Sequence, residues 1–232
     1  MILLDINQAK GEEAANTLNA KYGKKAVFIK CDVTKDLDVV FKQIIDTYKN
    51  IDVLVNNAGV SDENSATRTI SINVAAVMEW GVKFWEHMHK DKGGNGGTII
   101  NMGSLAGFLV SPFLIYYGTS KFAVLAFTKS LGHEYNYKRS GVRVVAMCPG
   151  FTHTTLTTQQ LVWDEHLDDY NKLRSVFPWQ QSEDVAKAAV EVFEKAPSGT
   201  AWVINGGQPI CEAPDCAKIT VENIEKPETI VL

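Results

Sequence analysis

The sequence has 232 residues, of which 45% are hydrophobic and 22% charged, and this composition is typical of a globular protein with one sizeable core. The formal net charge of −4 provides no basic surface, so we expect no nucleic-acid partner. No apolar run reaches the roughly 18 residues that a membrane-spanning helix requires, and the first residues lack the basic and apolar regions of a signal peptide.

The four cysteines are too few and too scattered to form a disulfide framework. Cys211 and Cys216 are close together, but their spacing fits no zinc pattern, and we interpret them as ordinary thiols. We therefore expect no metal site. The cysteine usage favours a reduced, cytoplasmic protein.

Short apolar runs alternate with longer amphipathic segments along the chain. The runs predict strands, in chain order, at 2–4, 26–29, 51–55, 98–100, 142–147 and 201–204. They lack polar alternation, which is typical of strands covered on both faces. Helical patterns lie between them at 7–22, where Gly23 is the expected C-terminal cap, at 74–88 and from 182 onward. The alternation predicts an α/β fold with a doubly wound parallel sheet in one domain, 1–206, followed by an irregular tail, 207–232.

The residues most indicative of chemistry are Tyr117 and Lys121, with Ser104 and Asn73 upstream. A spacing of four places Tyr117 and Lys121 on one face of a helix. An unperturbed tyrosine has a pKa of about 10. A neighbouring ammonium favours the phenolate, so we expect the pKa of Tyr117 to be lowered and the phenol to act as a base. Ser104 follows a predicted strand, where its hydroxyl could hold a substrate oxygen.

Three further segments accompany these residues. They are, in chain order, Cys31-Asp32-Val33, Asn56-Asn57-Ala58-Gly59 after a strand, and Pro149-Gly150 followed by Thr152 and Thr154. Together with the separation of thirteen positions from Ser104 to Tyr117 and the Tyr-x-x-x-Lys pattern, they resemble the short-chain dehydrogenase/reductase family. The resemblance extends from about residue 2 to about residue 206. It implies a Rossmann-like fold and an NAD(P)-dependent oxidoreductase.

The resemblance also implies a role for each matching residue. Tyr117 would be the general acid/base, Lys121 would lower its pKa and hold the nicotinamide ribose, Ser104 would orient the hydroxyl or carbonyl, and Asn73 would complete a proton relay. The cofactor would contact Tyr117 and Lys121 together with Asp32, Val33, Asn57, Ala58, Gly59, Pro149, Gly150, Thr152 and Thr154. Family members commonly dimerise through the helix that carries the tyrosine, so we expect a homodimer.

Asp5 ends the first predicted strand. A carboxylate there can accept hydrogen bonds from both hydroxyls of the adenosine ribose, and it repels a 2′-phosphate, which predicts NAD rather than NADP. Asp5 could also cap the following helix, and the two roles are compatible.

The sequence contains no Thr-Gly-x-x-x-Gly-x-Gly loop, which in the family binds the pyrophosphate between the first strand and the first helix. We expect the fold to lack that strand, loop and helix, which would leave the strands at Ile2 and Ile51 with open edges. A buried unpaired backbone group costs about 1–3 kcal/mol. The sequence is therefore interpreted as a fragment of a longer protein, or as a short form that folds poorly and binds cofactor weakly.

The segment 155–181 corresponds to the family's variable substrate lid and is rich in aromatic and aliphatic residues. Such side chains in a mobile loop predict an apolar substrate pocket. Leu114 could also face the substrate. Within the family, the chain most resembles the NAD-dependent 15-hydroxyprostaglandin dehydrogenase group and the insect-type alcohol dehydrogenases. The prediction is oxidation of an apolar secondary alcohol or hydroxy-lipid. The alternative is a catalytically silent Rossmann-like binding protein or inactive truncated product, because the glycine loop is absent.

Overall fold

The computed structural model describes residues 1–214, so Cys216 and the rest of the predicted tail lie outside the described residues. The chain divides into two compact units, Met1–Ile51 and Asp52–Leu232. Each unit has its own sheet.

The first unit consists of β1 (Ile2–Asp5), α1 (Gln8–Tyr22), β2 (Val27–Lys30) and α2 (Leu37–Tyr48). The strands are parallel, with Ile2 opposite Val27. The side chain of Asn7 caps the start of α1 by accepting from the Lys10 N–H at 3.1 Å. Gly23, with a φ of 79°, ends α1 as predicted because this backbone conformation is accessible to glycine.

The second unit places helices between the strands of a five-stranded sheet in the order β3-β4-β5-β6-β7, in which only β7 is antiparallel to its neighbour. Its strands are β3 (Val53–Asn56), β4 (Gly97–Met102), β5 (Val142–Pro149), β6 (Ala201–Ile204) and β7 (Cys211–Glu212). Its helices are α3 (Ala66–Ile70), α4 (Val77–Met88), α5 (Ile115–Leu131), α6 (Glu134–Ser140), α7 (Thr155–Thr158), α8 (Leu167–Val176) and α9 (Ser182–Lys195). A π-helical turn, Ser71–Ala76, joins α3 to α4.

The prediction of strands buried on both faces is confirmed for β4 and β5, whose interior residues are almost all buried. It is wrong for β2 and β3, since Val27, Val53 and Val55 are 41%, 39% and 51% exposed. Within the described residues, β1 pairs only with β2, and β3 pairs only with β4. The expected open edges of these two strands are therefore confirmed.

The described part of the predicted tail contains β7, which pairs with Trp202 and Val203 of β6, so this region is not wholly irregular. Cys211 in β7 is an exposed free thiol, whereas Cys31 and Cys148 are buried free thiols. Among the described residues, none of the helices combines the length and the apolar character required to span a membrane.

Candidate active site

Tyr117 and Lys121 lie one turn apart near the start of α5, as the spacing predicted. Both are buried, with 8% and 5% of their surfaces exposed. The Lys121 Nζ lies 5.5 Å from the centroid of the Tyr117 ring and donates a hydrogen bond to the Met102 carbonyl at 2.7 Å. The end of β4 therefore holds the ammonium beside the phenol.

The expected lowering of the pKa of Tyr117 is wrong for this structure. Burial raises the pKa of the phenol, and the opposing effect of the hydrogen bond with the Ser104 side chain is smaller. Burial also lowers the pKa of Lys121 to about 8. The sequence places a cation beside the phenol but does not reveal that both groups are shielded from water, and this shielding determines the direction of both shifts.

Ser104 follows β4 and forms the cap of a short 3₁₀ turn, Leu105–Gly107, by accepting from the Ala106 N–H at 3.2 Å. Its side chain also bonds to the Tyr117 phenol. Gly103, where family members often have a second serine, is packed tightly. A Cβ at that position would lie 3.0 Å from the Met147 carbonyl and 3.1 Å from the Cys148 Sγ.

Asn73 lies in the π-helical turn and has no exposed surface. Its side-chain amide donates to the Val60 carbonyl at 2.8 Å and to the Ser120 Oγ at 3.0 Å, and its oxygen accepts from the Val60 N–H at 2.9 Å. Ser120 in turn donates to the Tyr117 carbonyl at 2.7 Å. Asn73 thus connects the segment after β3 to the helix that carries the tyrosine, and π-helical turns are frequent at functional sites.

Asn57, Ala58 and Gly59 follow β3 at the same end of the sheet. Asn57 and Ala58 are exposed. A Cβ on Gly59 would lie 3.3 Å from the Asn73 Oδ1 and 3.9 Å from the Lys121 Nζ. The structure therefore brings Gly59 together with the catalytic candidates.

Several hydrogen bonds hold the Pro149–Thr154 turn in place. The Gly150 N–H donates to the Ile204 carbonyl at 2.8 Å, and a Cβ on Gly150 would lie 2.3 Å from the Asn205 Oδ1. The buried Thr152 hydroxyl donates to the Gly150 carbonyl at 3.0 Å and accepts from the Gln180 Nε2 at 3.2 Å. Thr154 caps α7. A side chain at position 150 would therefore displace the amide of Asn205.

Asp5, Asp32 and Val33 belong to the first unit. Asp5 is exposed and accepts from the Asn7 N–H at 2.7 Å, so the helix cap is Asn7 and not Asp5. Asp32 accepts from the Thr34 N–H and hydroxyl at 3.0 and 2.7 Å and pairs with Lys35 at 3.1 Å. These bonds, that of the Thr34 hydroxyl first, lower the pKa of Asp32 to about 2.

The lid segment, 155–181, is more ordered than the predicted loop, because it contains α7 and α8 and a strand-like pairing. Leu161 lies opposite Asp62, with the Leu161 N–H donating to the Ser61 carbonyl at 3.1 Å. Val162 and Tyr170 of the lid form a buried apolar cluster with Leu114 and Tyr117. The structure thus places Leu114 beside the tyrosine, and its contact with a substrate stays a prediction.

Two charged side chains of the lid, Lys172 and Arg174, contact other residues of the lid. Lys172 pairs with Asp169 at 2.9 Å on the surface. The Arg174 guanidinium lies over the rings of Tyr170 and Trp179, at 5.8 and 4.9 Å from their centroids.

Three buried residues that position the site are not apparent from the sequence: Glu63, Ser120 and Gln180. Glu63 accepts from the backbone N–H groups of Tyr116 and Tyr117 at 2.7 and 2.8 Å. Its partners lie more than fifty positions away, so no local pattern indicates the contact. Ser120 lies inside the Tyr-x-x-x-Lys pattern, at the position before the lysine, which is the only local signal among the three.

The chain is similar to several known proteins. The sequence profile of the family described as short chain dehydrogenase matches residues 1–165. A protein of Macaca fascicularis named 15-hydroxyprostaglandin dehydrogenase (NAD(+)) is 36% identical over 171 residues, which are 72% of this chain and 64% of that protein. The alcohol dehydrogenase-related 31 kDa protein of Drosophila melanogaster is 31% identical over 180 residues, which are 76% of this chain and 66% of that protein.

Among solved structures, that of 3-ketoacyl-(acyl-carrier-protein) reductase from Brucella melitensis complexed with NADH has a TM-score of 0.74 and 25% identity, covering 89% of this chain and 86% of that chain. This likeness confirms the predicted Rossmann-like α/β fold. The chain spans slightly less than two thirds of the length of the curated relatives described above. The family profile covers well over half of the sequence, and the chain therefore belongs to the short-chain dehydrogenase family.

Proposed function

We propose that this chain is an NAD-dependent oxidoreductase that interconverts an apolar secondary alcohol and its ketone, with Tyr117 as general acid/base. The observation that carries the proposal is the arrangement around the buried Tyr117 phenol. Ser104 bonds to the phenol and the Lys121 Nζ lies 5.5 Å from its ring. Asn73 reaches the same helix through Ser120. Tyrosine and lysine can act as general acids or bases, while serine and asparagine side chains can hydrogen-bond a substrate oxygen or a water.

The proposed chemistry uses the chain's own groups for binding and proton transfer. The Ser104 hydroxyl orients the substrate oxygen, and Tyr117 accepts the alcohol proton or returns it to the ketone. Because burial raises the pKa of the Tyr117 phenol, its protonated form is favoured in this structure, which suits donation of the proton to the ketone. NAD, when bound, supplies the hydride acceptor.

The residues present suit the nicotinamide end of that cofactor. The Lys121 ammonium has three N–H donors, of which one bonds to Met102, and ribose hydroxyls are suitable acceptors for the others. The Gln180 Oε1 and Asn205 Oδ1 beside the Pro149–Thr154 turn are buried acceptors without a partner among the described residues. We propose that Asn57, Ala58, Gly59, Pro149, Gly150, Thr152 and Thr154 contact the cofactor together with Lys121 and Tyr117.

For the adenosine end, we propose that Asp5 accepts from the ribose hydroxyls and that Asp32 and Val33 lie against the adenine. A relative whose name includes NAD(+) supports the choice of NAD. Equal turnover with NADP would contradict the role of Asp5, because a carboxylate repels a 2′-phosphate.

The proposed substrate is apolar, either a simple secondary alcohol or a hydroxy-lipid. On the side that faces the lid, Tyr117 packs with Leu114, Val162 and Tyr170. Phe113 and Phe151 pack against this cluster. Such a lining favours hydrocarbon around a single reacting oxygen. The name of the Macaca relative, a 15-hydroxyprostaglandin dehydrogenase, is consistent with this class.

We also propose a homodimer, in which the outward side of α5 contributes to the interface. Ile115 and Phe122 on this helix are 39% and 42% exposed, which is compatible with burial against a second copy. Sedimentation that detects only monomer would contradict this part. A reducing, cytoplasmic location is also proposed, because the three described cysteines are free thiols.

The test is NAD-dependent turnover of a panel of secondary alcohols, from short-chain alcohols to hydroxy fatty acids, followed by the appearance of reduced nicotinamide. We expect rates to increase with the apolar size of the alcohol. Absence of turnover across the panel, with a folded protein, would contradict the proposal.

A catalytically silent binding protein is the second candidate. One observation favours it: burial raises the pKa of Tyr117, which disfavours the phenolate that would accept the alcohol proton. A thermal-shift titration with NAD separates the two candidates. Ligand binding to the native state raises the unfolding temperature, so an enzyme should show a concentration-dependent rise and a silent protein should show none.

A further inference from the structure

The start of α5 has an unusual cap. The helix begins at Ile115, and the preceding residue, Leu114, has an apolar side chain that cannot accept a hydrogen bond. The carboxylate of Glu63 performs this function instead. Its Oε2 accepts from the Tyr116 N–H at 2.7 Å, and its Oε1 accepts from the Tyr117 N–H at 2.8 Å.

This arrangement has a strong electrostatic basis. Glu63 is only 2% exposed, so its side chain is shielded from water. Hydrogen bonds from N–H groups to a carboxylate are about twice as strong as neutral ones, and the N-terminus of a helix favours negative charge. The two bonds fix the backbone at the residue that carries the phenol.

The backbone of Glu63 also contacts the lid. Its N–H donates to the Leu161 carbonyl at 2.9 Å, and its carbonyl accepts from the Trp163 Nε1 at 2.7 Å. The side chain of Glu63 therefore contacts the catalytic helix, and its main chain contacts the segment that covers the substrate side of Tyr117.

We propose that Glu63 is a positioning residue that fixes the Tyr117 backbone and connects it to the lid. This inference rests on the proposed function, because it concerns the geometry of the proposed acid/base. A displacement of about 1 Å can lower a rate on the order of 100-fold, so loss of either bond should affect the chemical step.

The test compares Glu63→Gln and Glu63→Asp with the wild-type chain. Glutamine keeps one acceptor but directs its NH₂ group at the other backbone N–H, whereas aspartate keeps both oxygens on a shorter side chain. We expect Glu63→Gln to lower kcat about 10- to 100-fold with little change in KM for NAD, and Glu63→Asp to recover part of the loss. The bonds to the lid involve main-chain atoms and remain available in both variants.

Asp184→Asn is the matched control. The Asp184 carboxylate accepts from the Gln181 N–H at 3.0 Å and caps α9, so its loss also weakens a helix start. We expect Asp184→Asn to lower the unfolding temperature without lowering kcat. Equal kcat in Glu63→Gln and the wild type, or an equal fall in Asp184→Asn, would overturn the proposal.

Backbone hydrogen exchange provides a readout that does not depend on turnover. The amides of Tyr116 and Tyr117 should be protected in the wild-type chain and should exchange faster in Glu63→Gln. If the wild type turns over no alcohol, the proposed function fails. The exchange result still tests whether Glu63 holds the backbone N–H groups of Tyr116 and Tyr117. Unprotected amides in the wild-type chain would overturn the role of Glu63.

Discussion

At Tyr117 and Lys121, burial determines the direction of both pKa shifts, since it raises the pKa of the phenol and lowers that of the ammonium. The spacing of these residues predicts a catalytic pair, and the resemblance of the surrounding motifs adds Ser104 and Asn73 as candidates. The direction of the pKa shifts cannot be obtained in this way, since it depends on how completely β4, α5 and the lid exclude water. The role of Glu63 cannot be predicted from the sequence for a similar reason, because no local pattern distinguishes a buried glutamate from a surface one.

Lys121 should reduce the stability of the chain. Its pKa in the folded protein is about 8, below its usual 10.5, so the folded state binds this proton more weakly than the unfolded state. The free energy of unfolding should therefore rise between about pH 8 and about pH 10.5. We expect Lys121→Met to be about 1–3 kcal/mol more stable than the wild type near pH 7, measured by urea unfolding, with part of the gain offset by the lost bond to Met102.

The stability difference between Lys121→Met and the wild type should shrink as the pH is raised through this range, because the wild-type lysine loses its charge in the folded state. A difference that grows with pH would contradict the assignment. Met is a suitable replacement because it has a similar length and no charge.

Gly103 tests how tightly the backbone behind Ser104 is packed. A Cβ there would press on the Met147 carbonyl and the Cys148 Sγ. We expect Gly103→Ala to lower the free energy of unfolding by about 1–3 kcal/mol in the wild-type background. In a Cys148→Ala background the loss should be smaller, because one of the contacting atoms is gone. Urea unfolding of the four chains measures this coupling, and an equal loss in both backgrounds would exclude it.

At the scale of elements, the positions of the strands are predicted well, but their burial is predicted only in part. A strand between two others, such as β5, is buried as its apolar run indicates. The edge strand β3 has a similar run but leaves Val53 and Val55 partly exposed. The π-helical turn at Asn73 and the pairing of Leu161 with Asp62 are not predicted, because both depend on contacts distant in sequence.

The turn after β2 provides a test at this scale. Asp32 has a pKa of about 2, below its usual 3.8, so it stabilises the fold above about pH 4, and this contribution is lost as the pH falls toward 2. Its side chain is 23% exposed, and we expect Asp32→Asn to lower the free energy of unfolding by about 1 kcal/mol near pH 7.

The effect of Asp32→Asn should disappear in acid, where the wild-type carboxyl is protonated. Asp46→Asn, which removes an exposed pair with Lys42, is the control and should have a smaller effect. Urea unfolding at several pH values measures both. A loss for Asp32→Asn that is the same at every pH would contradict the role of its charge.

At the scale of the whole molecule, the parallel α/β architecture is predictable because apolar runs and helical patterns alternate along the chain. The described strands form two sheets, in which β1 and β3 each pair with a single strand. The family is established by the profile match and the fold. The identity of the substrate is less predictable, because the segment 155–181, which we propose lines it, contains helices and a strand-like pairing that its sequence did not indicate.

The central claim is that Tyr117 transfers the substrate proton. It is tested most directly by comparing Tyr117→Phe with Tyr116→Phe in NAD-dependent alcohol turnover. Tyr116 precedes Tyr117 on the same turn and is only partly buried, so its variant controls for loss of a hydroxyl from this helix. We expect Tyr117→Phe to lower kcat by about 100-fold or more and Tyr116→Phe to have little effect. Undiminished turnover by Tyr117→Phe would contradict the mechanism.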